Sequence, residues 1–96
     1  MKMIVTTKKW DASEYLDSPE MIEAYLNASF EGGDSAQILQ AIGNVARAQG
    51  MTNIAEKTNL GRQNLYKALA SDSSPKFDTV KKVIEAMGCQ LVVVAQ

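Results

Sequence analysis

The sequence predicts an all-α fold of five helices followed by a short C-terminal β-strand, and three observations lead to this prediction. Apolar residues recur at helical spacing in five segments between residues 18 and 89. Capping residues, glycines and prolines separate these segments, and the chain closes on an uncharged apolar run, QLVVVA. We therefore divide the chain into an N-terminal arm (1–17), a helical domain (18–89) and a C-terminal strand (90–96), which we expect at a dimer interface.

A few apolar and capping residues predict the arm and the first helix. Residues 2–6 are a short strand or a tail, and Trp10, Tyr15 and Leu16 pin a loop or single turn to the body. Ser18 caps the first helix and Pro19 suits its first position. Its apolar stripe, which Gly32-Gly33 closes, is Met21, Ile22, Tyr25, Leu26 and Phe30.

The second helix begins after Asp34, which caps it with Gln37 placed as in a capping box. Gly50 ends it near Ala48. Its apolar stripe is Ile38, Leu39, Ile42, Val45 and Ala46.

Residues 51–70 predict two short helices joined by a tight turn. Thr52 caps a helix over Asn53–Thr58, Asn59 accepts the positive φ of the turn, and a second helix spans about Gly61–Ala70. The apolar anchors that face inward are Ile54, Ala55, Leu65 and Leu69. This is the pattern of a helix-turn-helix whose second helix lies in the major groove of DNA.

The C-terminal part is a loop, a helix and a strand. Ser71–Pro75 is a loop by composition, and Gly88 closes a helix over Phe77–Met87. The apolar stripe of this helix is Val80, Val83, Ile84 and Met87. The strand at 90–95 needs a partner, which is either residues 2–6 or the same strand of a second copy across a two-fold axis.

Composition indicates one small cytoplasmic domain. The 96 residues carry a net charge of −1, and 46% of them are hydrophobic. No apolar run reaches the roughly 20 residues that span a membrane, and the one cysteine, Cys89, is expected to be an apolar core thiol. Residues 1–34 are acidic and residues 35–96 are basic, which suggests one surface for a basic protein and another for phosphate.

Base recognition is expected from the start of the second helix of the turn motif. Arg62 can offer a bidentate fork to guanine, and Gln63 and Asn64 can do the same for adenine. One turn further on, Tyr66 suits a thymine methyl or a phosphate, and Lys67 suits a phosphate better.

Phosphate contacts are expected from two flanking segments. Thr52 and Asn53 begin the first helix of the motif, whose amide end can meet a phosphate. The other candidates lie in the loop after the recognition helix and are Ser71, Ser73, Ser74 and Lys76. Lys81 and Lys82 are interpreted as solvated lysines of an amphipathic helix.

The sequence argues against an enzyme and against a bound cofactor or metal. It contains no histidine, which removes the commonest general base, and a single cysteine cannot build a thiolate zinc site. Its glycines fit neither a Walker nor a dinucleotide-binding pattern.

Several separated phrases give the chain a family resemblance over about residues 9–94. Five helices with the second and third forming the turn motif is the arrangement of the lambda-repressor-like (Xre/Cro) phage repressors. The phrases at 10–18, 22–27, 42–51 and 65–69 (WDASEYLDS, IEAYLN, IGNVARAQGM and LYKAL) resemble the addiction-module antidote proteins. These are HigA-like antitoxins of chromosomal and prophage toxin–antitoxin pairs.

The resemblance implies a homodimeric DNA-binding antitoxin. Such proteins bind a small basic toxin of the RelE/HigB-like ribonuclease type and repress transcription of their own operon. Three positions depart from the pattern: Asn59 stands where glycine is usual, Gly61 where serine usually caps the recognition helix, and Lys76 where a small capping hydroxyl is common.

Two alternatives stay open at this point. One is a phage-type repressor without a toxin partner, and the other is a protein-interaction module that has lost DNA binding. The low net charge favours the second alternative, since DNA binders are usually basic.

Overall fold

The structure is a computed structural model that describes residues 2–7 and 19–95. Trp10, Tyr15, Leu16 and Ser18, to which anchoring and capping roles are assigned above, lie outside these residues. The described chain forms five helices and one two-stranded sheet. In chain order the elements are β1 (Lys2–Thr7), α1 (Pro19–Gly32), α2 (Ser35–Gln49), α3 (Met51–Thr58), α4 (Arg62–Ala68), α5 (Phe77–Ala86) and β2 (Cys89–Val94).

The mostly helical fold is confirmed, with differences at the ends of the chain and of single helices. Residues 2–7 form a strand, so the sheet is not limited to the C-terminal segment. The turn motif joins α3 and α4, the third and fourth helices rather than the second and third, because the long helix α1 precedes it. Among the helices that the structure describes, none has the length and apolarity needed to cross a membrane.

The sheet joins the two ends of the chain. β1 and β2 are antiparallel, with Val5 opposite Leu91 and Ile4 opposite Val92. The intrachain alternative for the C-terminal strand is therefore the one observed. Val5 and Cys89 are completely buried on the face that packs on the helices, as expected for an apolar core thiol.

The core is built from the inward faces of all five helices. The predicted stripes of α2 and α5 are buried except for Ile38 and Val80, which are partly buried against the core, and α3 packs against α2, α4 and α5 at the centre. The stripe predicted for α1 is narrower than expected. Leu26 is buried, whereas Met21 is 68% exposed and Tyr25 45% exposed on the outer side of the helix. An apolar face of unassigned purpose therefore remains on α1.

Candidate nucleic-acid interface

The turn between α3 and α4 is closed by a Schellman motif. Asn59 adopts the left-handed conformation at φ 58° and ψ 30°, as its place in the turn predicts. Its amide donates to the carbonyl of Glu56, and the amide of Leu60 donates to the carbonyl of Ala55. The buried Thr58 hydroxyl donates to the carbonyl of Ile54 at 2.8 Å. These bonds fix the angle at which the next helix leaves the turn.

Helix α4 is short and is held from behind. It begins at Arg62 with Gly61 as an extended N-cap that makes no side-chain hydrogen bond, and it ends at Ala68 rather than Ala70. Leu65 is completely buried and Leu69 is 3% exposed, so both anchors face inward as predicted. Since the anchors fix one face, the polar residues of the opposite face are presented to solvent.

The five candidates for base recognition all lie on the exposed part of α4. They are Arg62, Gln63, Asn64, Tyr66 and Lys67. The guanidinium carbon of Arg62 lies 5.7 Å from the centroid of the Tyr66 ring, one helical turn away. A cation at this distance from an aromatic face is attracted by about 0.5–1 kcal/mol at an exposed site. The stack therefore restrains the Arg62 fork at the helix N-terminus.

Thr52 and Arg62 line the same shallow cleft between α3 and the start of α4. The structure thus brings a predicted phosphate contact next to a predicted base contact. Thr52 is not the cap of α3, which is Gly50, because the helix begins at Met51, two residues before the predicted start at Asn53. Thr52 and Asn53 remain in the exposed first turn, where helix amides point outward. Glu56 also lines the cleft, and its carboxylate was not predicted there.

The loop after α4 holds the remaining candidates for phosphate contact. Ser71, Ser74 and Lys76 are exposed. Ser73 differs, because its hydroxyl donates to the carbonyl of Ala68 at 2.6 Å and its amide donates to the carbonyl of Ala70 at 3.0 Å. Both donors of Ser73 therefore close the end of α4, which favours a structural role for this residue.

A further cation lies close to the end of α4. The guanidinium of Arg47 on α2 folds over Gly43, whose α-carbon faces the carbonyl of Leu69. Arg47 donates to the side chain of Asn44 at 2.5 Å, and Asn44 donates to the Tyr25 hydroxyl at 3.0 Å. These contacts join three separate segments of the sequence. The spacing of residues along the chain therefore could not predict them.

The lysines of α5 are interpreted as solvated surface charges, and the structure agrees. Lys81 lies 3.4 Å from Glu85, and Lys82 lies 3.2 Å from Asp78, each pair one turn apart on an exposed helix face. Around the turn motif and the following loop, by contrast, bases outnumber acids. Residues 51–76 contain four basic and two acidic residues. The local charge there favours an anionic partner.

Comparison with known proteins places the chain in a family. A family model described as "Probable addiction module antidote protein" matches residues 6–95. An uncharacterized protein of Haemophilus influenzae is 41% identical over 86 residues, which cover 90% of this chain and 89% of that protein. No solved structure matches the chain. The family match covers the end of β1, all five helices with the turn motif, and β2, and the chain therefore belongs to the addiction-module antidote proteins, the antitoxins of toxin–antitoxin pairs.

Proposed function

We propose that this antitoxin is a cytoplasmic, non-enzymatic DNA-binding protein of the Xre/Cro helix-turn-helix type that acts as a homodimer. It neutralises a basic RelE/HigB-like toxin and represses the operon that encodes both proteins. Helix α4 enters the major groove, where Arg62, Gln63 and Asn64 contact base edges and Tyr66 and Lys67 complete the contact surface. Thr52, Asn53, Ser71, Ser74 and Lys76 position the helix through phosphates.

The observation that supports DNA binding most strongly is the orientation of α4. Leu65 and Leu69 are buried, while every polar residue of the helix is exposed. A helix that only faces solvent needs no particular polar residues on its exposed side. A recognition helix, by contrast, needs side chains with paired hydrogen-bond donors near its N-terminus. The stack of Arg62 on Tyr66 holds such a fork in place at this end of α4.

A gel-shift assay on the DNA upstream of the protein's own gene tests the proposal. Arg62→Ala and Gln63→Ala should each weaken binding, because a bidentate base contact contributes about 1–3 kcal/mol of discrimination, or roughly 5- to 150-fold in affinity. The parent chain should bind this DNA more tightly than a scrambled duplex of equal length.

Two matched variants serve as controls for the gel shift. Lys2→Ala removes one positive charge from β1, away from the turn motif, and Gln40→Ala removes an exposed carboxamide from α2. Both should bind within about twofold of the parent, a free-energy change within the roughly 0.5 kcal/mol usual for neutral surface sites. Equal binding by all four variants would remove the recognition role of α4.

For the toxin, we propose a contact surface on α1. Met21 and Tyr25 are exposed large side chains on its outer side. The helix carries three glutamates and no basic residue. An apolar face with acidic surroundings is complementary to a basic protein, and charge complementarity of this kind mainly sets the association rate and specificity. A basic protein of similar size encoded in the adjacent reading frame would support the toxin–antitoxin pair over a repressor without a toxin.

The alternative of a protein-interaction module without DNA binding makes a different prediction about salt. A DNA-binding protein that neutralises several phosphates loses affinity steeply between about 50 and 200 mM salt. An interaction module would show no such dependence with the upstream DNA, because it would show no specific complex. The net charge of −1 supports this alternative, whereas the excess of basic residues around the turn motif supports DNA binding.

A further inference from the structure

The outer edge of β1 is closed by a side chain of α1. The amide of Val5 donates to Oδ1 of Asn27 at 2.6 Å, and Nδ2 of Asn27 donates to the Val5 carbonyl at 2.9 Å. A primary carboxamide thus pairs with one residue of the strand as a neighbouring strand would. This part of β1 is not available for another strand.

The same contact shows which strand residues face outward. In an antiparallel pair, the amide and carbonyl of one residue point to the same side, and successive residues alternate sides. Because Val5 faces Asn27, its partner Leu91 faces away from β1 on the other edge of the sheet. The same alternation turns the amide and carbonyl of Val93 outward and directs those of Val92 toward Ile4.

The outer edge of β2 differs from the outer edge of β1 in composition and in the contacts of the described residues. Its sequence, CQLVVV, contains no charged residue and no proline. Val93 is 53% exposed. Among the contacts of the described residues, no side chain bonds to the outward amides of Leu91 and Val93 as Asn27 does to that of Val5. Among residues 2–7 and 19–95, a side chain therefore closes the sheet edge at Val5, and none closes the opposite edge at Leu91 and Val93, which we call the open edge of β2.

We propose that the open edge of β2 pairs with β2 of a second copy, antiparallel and centred on Val92. The product is a four-stranded sheet in the order β1–β2–β2–β1. The second copy is the fitting occupant because the edge is self-complementary. In this register the outward groups of Leu91 meet those of Val93 in the second copy, and Val93 meets the second copy's Leu91. The proposal deepens the homodimer of the proposed function by naming its surface.

The geometry keeps both α4 helices outside the interface. β2 packs against α5 and β1, whereas α4 packs against α3. A dimer formed through the sheet therefore leaves the exposed faces of both α4 helices uncovered. A two-fold pair of recognition helices is what a palindromic operator requires.

Proline substitutions test the edge, with a matched control on the opposite edge. Val93→Pro removes an outward amide from β2 without removing a bond to β1. Met3→Pro does the same on β1, directly across the sheet from Val93. Sedimentation analysis should show that the parent and Met3→Pro are dimers and that Val93→Pro is a monomer. Circular dichroism establishes that each variant is folded.

A cysteine scan provides a test that does not depend on proline tolerance. In the proposed register, Val92 faces Val92 of the second copy as a non-hydrogen-bonded pair, with α-carbons about 4.5 Å apart. This separation lies within the roughly 4.4–6.8 Å of disulfides. Oxidised Val92→Cys should form a covalent dimer. Val94→Cys should not, because it faces Gln90 of the second copy, and neither should the parent chain, whose Cys89 is buried.

Each outcome bears on the proposal in a defined way. A dimer that survives Val93→Pro and is cross-linked by neither Val92→Cys nor Val94→Cys would overturn the β2 interface while the homodimer stood. A cross-link in Val94→Cys instead of Val92→Cys would overturn the register. A monomeric parent chain would remove both the homodimer and its surface. The gel shift reports DNA binding separately, so failure there leaves the edge test intact.

Discussion

At the scale of single residues, Asn27 shows what the sequence could not indicate. Its position on α1 gives no sign that it bonds to Val5, which lies 22 residues earlier. The contact depends on how α1 crosses the sheet, and that is a tertiary property. The stack of Arg62 on Tyr66 is different, because a spacing of four residues on a helix already places two side chains side by side.

Replacing Asn27 should destabilise the fold. Asn27→Ala leaves the buried amide and carbonyl of Val5 without partners, and we expect the free energy of unfolding to fall by about 1–3 kcal/mol. Urea unfolding measures this change. Asn44→Ala is the control, since its amide is exposed and bonds only to surface groups. A loss for Asn27→Ala no larger than that for Asn44→Ala would contradict the edge-closing role.

At the scale of elements, the helix ends separate what sequence can indicate from what it cannot. Positive φ at Asn59 follows from its place in the turn, and the structure confirms it. The capping propensity of Thr52 predicts that α3 starts at Asn53, but the helix begins at Met51 with Gly50 as its cap. Capping propensity is weaker than the packing of Met51 in the core, where it is 5% exposed.

The N-cap of α4 offers a stabilising substitution. Gly61 has φ −65° and ψ 141°, which any residue adopts, and a β-carbon there would lie at an ordinary 3.5 Å from the Asn64 side chain. Gly61→Ser should raise the free energy of unfolding by about 0.5–1 kcal/mol by capping the helix and restricting the unfolded chain. Thermal or urea unfolding checks this expectation.

Gly50 is the matched glycine for this experiment, since it also precedes a helix of the turn motif. Its φ of 100° lies where side chains are strained. Gly50→Ser should therefore cost about 1 kcal/mol or more. If Gly61→Ser destabilised the protein as much as Gly50→Ser, the extended N-cap described for α4 would be incorrect.

At the scale of the whole molecule, the inward stripes of α2, α4 and α5 could be predicted because burial follows helical periodicity. The outward position of Met21 and Tyr25 could not, since it depends on where α1 meets the sheet and α2. The pairing of β1 with β2 was one of two alternatives in the sequence, and only the fold shows which one forms within the chain. The exposure of the polar residues of α4 could be predicted because it follows from the local apolar pattern that buries Leu65 and Leu69, and the role of these polar residues in DNA recognition stays a prediction.

The central claim is that Arg62 contacts a guanine in the major groove, and methylation interference tests it most directly. Methylating guanine N7 blocks the acceptor that a bidentate arginine uses. With the protein's own upstream DNA, we predict that N7 methylation of one guanine in each half-site abolishes binding of the parent chain. Arg62→Ala, which binds more weakly, should become insensitive to methylation at those two positions and keep the rest of the pattern. An interference pattern in which Arg62→Ala and the parent chain are identical at every guanine would contradict the claim.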